Sequence, residues 1–224
     1  MEEARVDNPL KLTPWHRLAL AYAPSALRSR QEALFAMDAI CGDICDTTSE
    51  MLIGQMRYTW WRDVMTGTPP DRRSGHPLLA LITAIDDFDC DALVPVIDAW
   101  EGYVVDAGGE EGGVHARNRG EAMASALRAI GVTEASPLLD DFFGCYALWD
   151  DIRTGRYDGE AATTAKAALA SQLEPVTDWK PDRSLRMMAI IRDMIVRDAL
   201  HGGWDKPVLR PSMAARMVFR GLTG

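Results

Sequence analysis

Apolar residues in this chain return every three or four positions, and alternation at a period of two never persists. The clearest stripe is Ala26, Leu27, Ala33, Leu34, Met37, Ile40, Cys41, Ile44 and Cys45. That period marks one buried face of a helix. It recurs in Leu52, Ile53, Met56, Trp60, Trp61 and Val64, and again in Leu93, Val96, Ile97, Trp100, Tyr103 and Val104. A chain with this pattern and no sustained strand signal is expected to be all-α, a single-domain bundle of about eight or nine helices.

Breakers divide the pattern. Pro14 suits the first turn of a short helix over 15–22, and Ala23-Pro24-Ser25 ends it, with Ser25 able to cap the next. Thr47-Thr48-Ser49 separates the second helix from a third, for which Ser49 is the expected N-cap and Glu50 a first-turn acid. That third helix should stop at Gly67, before Pro69-Pro70. Further helices are predicted from His76-Pro77, over 93–106, 117–130, 138–153, 160–173 and 184–200, and in a short tail over 211–219. Residues 1–12 read as a flexible arm and 13–224 as the helical domain.

A length of 224 residues suits one domain with a sizeable core. With 33 acidic against 24 basic side chains, the net charge of -9 argues against a nucleic-acid binder. No apolar run approaches the ~18 residues of a membrane span, and the acidic start MEEARVDNPL is not a secretory signal. Cys41, Cys45, Cys90 and Cys145 have neither CxxC spacing nor a nearby metal-site histidine, so they read as buried thiols in a reducing compartment. The expected location is cytoplasmic, with peripheral membrane contact left open.

Asp38, Asp43 and Asp46 close the second helix, and Asp43 and Asp46 are spaced to share a face. Two carboxylates pointing into a bundle can hold Mg²⁺ against a diphosphate leaving group, or be the polar end of a helix pair. Arg57, one turn before Trp61, can stack on it, reach a phosphate or pair with an acid. Trp60, Trp61, Trp100 and Tyr103 would line an apolar cavity or fill ordinary core. The acids of 86–91 read as a solvated turn, and the glycines of 108–113 lack the strand and GKS/T context of a nucleotide loop.

The segment DICDTTSEMLIGQMRYTWWRD, preceded by QEALFAMDAI, resembles the squalene/phytoene synthase family of head-to-head prenyl transferases. It is most similar to the short, divergent members of alphaproteobacteria and mitochondria. Ser49, Glu50, Gly54, Arg57, Trp60, Trp61, Arg62 and Asp63 carry the likeness, which covers the first half well and the second half only in helical pattern. The resemblance implies an isoprenoid-synthase-like bundle around a deep cavity, with two aspartate motifs on opposed helices holding Mg²⁺ and diphosphate. The first falls on residues 42–46, with Gly42 where the family has its leading aspartate and Asp43 and Asp46 remaining. For the second, the nearest material is Asp150 and Asp151, followed by Arg153 and Arg156.

With motifs so reduced, the resemblance implies a non-catalytic binding or assembly module, as the mitochondrial relatives are assembly factors, with no cofactor. The alternative is Mg²⁺-dependent condensation of two prenyl diphosphates. In that case Asp43, Asp46, Asp150 and Asp151 would hold metal, and Asp43, Asp46 and Arg57 would do the chemistry. Trp60, Trp61, Trp100, Tyr103, Arg153 and Arg156 would bind substrate. Expected partners are a prenyl diphosphate or other lipid, and a protein partner.

Overall fold

The computed structural model describes residues 8–67, 75–105, 112–131, 136–209 and position 215. The expectations for residues 1–7, the Pro69-Pro70 loop, the glycines before 112 and the 211–219 tail lie outside the described residues. Within them the chain is an all-α single-domain bundle of ten α-helices with two short 3-10 turns, and no strand occurs among the described residues.

The N-terminal half forms around one long helix. α1 (Pro14–Leu20) starts with proline at its first position, and Thr13 and His16 cap each other's backbone N–H groups. α2 (Ser25–Thr47) follows after one turn and spans 23 residues, ~34 Å. Pro24, not Ser25, is its N-cap and gives no side-chain cap. The turn is held instead by Arg28, which donates to the carbonyls of Leu20, Ala21 and Ala23. Ala33 through Met37 are fully enclosed, so α2 is core on nearly every side at its middle.

α3 (Met51–Thr66) takes Glu50 as its N-cap, so Ser49 stands one residue outside the helix. Val64 and Met65 of α3 face inward, and Tyr58 donates to the Cys41 carbonyl of α2 at 2.8 Å. α4 (Pro77–Thr83) begins where the sequence places it, and His76 Nδ1 accepts the Leu78 N–H. The acidic turn after α4 is fastened by Arg30, which donates to the Asp86 and Asp87 carbonyls. α5 (Val94–Val105) enters through a 3-10 turn, Asp91–Leu93, and packs on α3, α6 and α2.

The C-terminal half is built on α6 (Gly112–Ala129) and α7 (Leu138–Arg153). Their contact is unusually close at Gly120, where a Cβ would lie 2.6 Å from the Gly144 nitrogen and 2.8 Å from the Phe143 carbonyl carbon. Only glycine fits there, and the close crossing brings the residue before it, Arg119, onto the inner face of α7. α8 (Gly159–Gln172), the single turn α9 (Glu174–Thr177) and α10 (Arg186–His201) then cover the outer side of α7. A second 3-10 turn, Arg183–Leu185, leads into α10, capped by the Asp182 side chain on the Ser184 N–H.

Trp100, Trp149, Tyr58, Tyr146, Phe35, Phe142 and Phe143 are all enclosed in one continuous core. Leu12 is also buried, so the end of the expected arm packs against the domain. All four cysteines are free, Cys41 and Cys145 within the core. Among the described residues no helix is long and apolar enough to cross a membrane.

Candidate functional site

Where α2, α6 and α7 meet, four carboxylates converge on two guanidinium groups. Asp38 of α2 is fully buried and receives Arg119 Nε at 2.7 Å and Nη2 at 2.6 Å, a bidentate pair. Arg119 also donates to Asp151 at 2.9 Å and Asp150 at 2.7 Å, both on the last turns of α7. One arginine therefore ties α2 to α7 through three acids. Arg156, just beyond α7, does the same nearer the surface, donating to Asp151 at 3.1 Å and to Asp46 at 2.8 Å.

Hydrogen-bond donors complete the shell of Asp38. Trp100 Nε1 donates to Oδ1 at 2.9 Å, and the Tyr146 hydroxyl to Oδ2 at 3.3 Å. His16 stands behind Tyr146, with Nε2 and the hydroxyl 3.1 Å apart. Because His16 Nδ1 accepts the Thr13 N–H at 3.3 Å, the proton of the neutral ring sits on Nε2 and points at Tyr146. Both guanidiniums lie over the Trp100 ring, Arg119 at 4.5 Å and Arg156 at 4.8 Å from its centroid.

These groups border a cleft of about 550 Å³, lined also by Gly42, Asp43, Thr154 and Lys11. Asp43 points to Lys11 Nζ, 3.2 Å away. Gly42 is closely covered: a Cβ there would meet Arg156 Nη2 at 3.2 Å and the Trp100 ring at 3.3 Å, so one of them would have to shift by a few tenths of an ångström. The space beside Gly42 holds a guanidinium stacked on an indole.

The electrostatics follow from burial and from the count of charges. Burial works to raise the Asp38 carboxyl, but the charge and hydrogen bonds of Arg119 outweigh it and hold it below its ordinary value. Burial works to lower Arg119, and Asp38 and Asp150 hold it well above its usual range. Asp151 is pushed up by burial to about 7, against the pull of Arg119 and Arg156. Four acids around two arginines leave an excess of negative charge, and the cluster keeps a proton near neutrality. Burial drives His16 down to about 4, and burial with the Arg119 charge drives His115 down to about 3, so both are neutral. His115 is the unsatisfied member. Neither ring nitrogen makes a hydrogen bond, its polar neighbours being the Ala99 carbonyl and Asp151 Oδ2 at 3.9 Å, outside hydrogen-bond geometry.

The residues singled out in the sequence fall in three places. Asp43, Asp46, Asp150, Asp151, Arg156 and Trp100 do gather around this cleft. Tyr103 sits beside it, its ring 4.3 Å from that of His115. Arg57, Trp60 and Trp61 border a second groove, on α3, which meets the cleft at Lys11 and Asp43. Arg153 belongs to neither. It pairs with fully buried Asp198 of α10 and donates to the Trp204 and Gly203 carbonyls. Sequence reading assigned no role to Arg119, His16 or Tyr146. The available signal was position: Ala116, Arg119, Met123, Leu127 and Ile130 share one helical face, and a charged residue on a core-facing stripe needs a partner.

The cluster does not fit a divalent ion. Mg²⁺ needs octahedral oxygen ligands with little competition, and here both oxygens of Asp38 and one each of Asp46, Asp150 and Asp151 accept from Arg119 or Arg156. No group of three or more potential metal ligands occurs among the described residues. Comparison with family models, with curated proteins and with solved structures finds no match to this chain.

Proposed function

We propose that the chain is a squalene/phytoene synthase-like bundle whose acidic cleft has exchanged metal for arginine, and that it works as a non-catalytic binding or assembly module. The observation that carries this reading is Arg156 over Gly42. A guanidinium reaches both acidic sides of the cleft, from Asp46 to Asp151, in the space a motif aspartate would need. Ionising a prenyl diphosphate requires its departing charge to be neutralised by metal held from two sides. Without that electrostatic stabilisation the rate falls by orders of magnitude. A metal there would have to compete with Arg156 for Asp46 and with Arg119 for Asp150.

The alternative, Mg²⁺-dependent head-to-head prenyl transfer, draws support from a separate observation. Asp46 on one side and Asp150 on the other border the same cleft. That activity requires Arg156 to leave the cleft on substrate binding. The two readings part in one assay: farnesyl diphosphate with millimolar Mg²⁺, monitored for released diphosphate and for a condensed hydrocarbon product. The non-catalytic reading expects release no faster than in buffer. Turnover that disappears in Asp46→Asn would overturn it.

A further inference from the structure

Away from the acidic cleft, α3 turns an apolar face to solvent. Leu52 is 68% exposed, Met56 65%, Met51 50%, Ile53 46% and Trp60 43%. Leu52, Met56 and Trp60 are spaced by four and Ile53 adjoins them, so they form one stripe along the helix. Among the described residues the remaining exposed large hydrophobics are single residues of three other helices. Exposed apolar residues gathered in this way mark a surface that something covers. Beside the stripe runs a groove of about 520 Å³, floored by Ile40 of α2 and walled by Ile53, Met56, Trp60 and Trp61. Its size is that of a small-molecule site.

The charges at its edge define what fits. Lys11 borders the groove, but its ammonium is taken by Asp43, which borders it too. Arg57 is the other cation. Its Nη1 donates to Thr48 Oγ1 at 2.9 Å and Thr47 Oγ1 at 3.4 Å, and no carboxylate of the described residues pairs with it. Two neutral hydroxyls fix the guanidinium at the α2–α3 join, and among the described residues its charge has no carboxylate partner. Its Nε and Nη2 edge remains available for the side-on, two-bond contact that suits a carboxylate. The groove therefore offers one net positive charge at one end and an aromatic-aliphatic channel a turn further along α3.

We infer that this groove is a binding site for a long-chain carboxylate, with the head on Arg57 and the chain along Ile53, Met56 and Trp60. One uncompensated cation matches a monoanion and is too little for a diphosphate. A bilayer is disfavoured as occupant, because the groove edge carries, among the described residues, one cation without a carboxylate partner where an anionic lipid surface draws on a cluster of them. The groove meets the acidic cleft at Lys11 and Asp43, but the inference rests on Arg57 and the apolar wall of α3 and stands whether or not that cleft turns over.

Calorimetric titration of the full chain with octanoate, decanoate and dodecanoate, each below its micelle concentration, tests it. Dodecyltrimethylammonium supplies the same chain as dodecanoate with the opposite head charge. The expected result is one saturable site that tightens roughly tenfold per added pair of methylenes. Dodecanoate should bind far better than the ammonium. Arg57→Gln should weaken dodecanoate roughly tenfold or more, and Met56→Glu should abolish binding; both positions are exposed, so both variants keep the fold. Equal binding of the two head groups, or dodecanoate binding unchanged in Arg57→Gln, would overturn the inference. So would sedimentation with phosphatidylcholine vesicles, or a dimer dissociated by Met56→Glu, in the absence of dodecanoate binding. The first outcome would give this face to a lipid surface and the second to another copy of the chain.

Discussion

Arg119 is the residue on which the interior depends most. Its guanidinium is almost wholly enclosed, yet it holds Asp38, Asp150 and Asp151 from two helices at once. A buried ion pair is weak evidence for stability in itself, because both charges lose their water. Removing one member is a different matter. Arg119→Ala would leave Asp38, 1% exposed, with only Trp100 and Tyr146 as partners for a full negative charge. The expected cost is roughly 3–5 kcal/mol, read as a shift in the urea midpoint. A variant within ~1 kcal/mol of the parent would mean that the cluster rearranges around the loss without difficulty. Arg119→Lys should recover little, since an ammonium cannot reproduce the bidentate grip on Asp38.

The crossing of α6 and α7 sets where that arginine stands. At Gly120 the two backbones approach so closely that any Cβ would overlap the main chain at Gly144. Main chain cannot yield as a flexible side chain can. Gly120→Ala is therefore expected to destabilise by roughly 3 kcal/mol or more despite alanine's higher helix propensity. Gly113→Ala, on the same helix with open space around it, is the control and should be near neutral. A stable Gly120→Ala variant would mean that the crossing is looser than described. The long elements were legible in the sequence because their apolar stripes are long: α7 spans Leu138–Arg153, as its pattern predicts. Ends were less legible. α6 starts at Gly112, five residues before the expected 117, because glycines that read as a loop are taken into its first turn. The caps expected at Ser25 and Ser49 shift by one residue, to Pro24 and Glu50, neither of which caps its helix through a side-chain hydrogen bond. Trp60 and Trp61 show how little adjacency says about role: one is 43% exposed and the other buried, because they are 100° apart around α3.

For the molecule as a whole, the buried titratable groups set how stability varies with pH. His16 and His115 ordinarily titrate near 6.5 and are depressed in the fold to about 4 and about 3. Their contribution is present above pH 6.5 and is lost as pH falls toward those values. Asp151 has the opposite sign. Raised from 3.8 to about 7, it keeps its proton in the fold while the unfolded chain gives it up. Between pH ~4 and ~6.5, unfolding takes up two protons at the histidines and releases one at Asp151. The net uptake of about one proton makes stability fall by about 1.4 kcal/mol per pH unit on acidification. Urea midpoints at pH 6.5 and pH 5 measure this directly, and Asp151→Asn should steepen the loss by removing the opposing contribution. A protein equally stable at both values would contradict the neutral, buried state of the two histidines.

The acidic cleft itself was half legible in the sequence. Asp43 and Asp46 are legible from residue type and spacing, and Asp150 and Asp151 only through the family resemblance, but what neutralises them comes from residues far away in the chain. Arg119 lies 81 positions from Asp38, and Arg156 lies 110 from Asp46. No local pattern encodes such pairings. Gly42, where the resemblance expects an aspartate, lies against a guanidinium stacked on Trp100. Whether arginine has truly displaced metal there is decided by titrating Mg²⁺ into the protein and into Arg156→Ala by calorimetry. The account predicts no saturable Mg²⁺ binding to the parent chain at millimolar concentration, and binding no stronger than weak and carboxylate-dependent in the variant. Saturable Mg²⁺ binding to the parent chain, lost in Asp46→Asn, would contradict it.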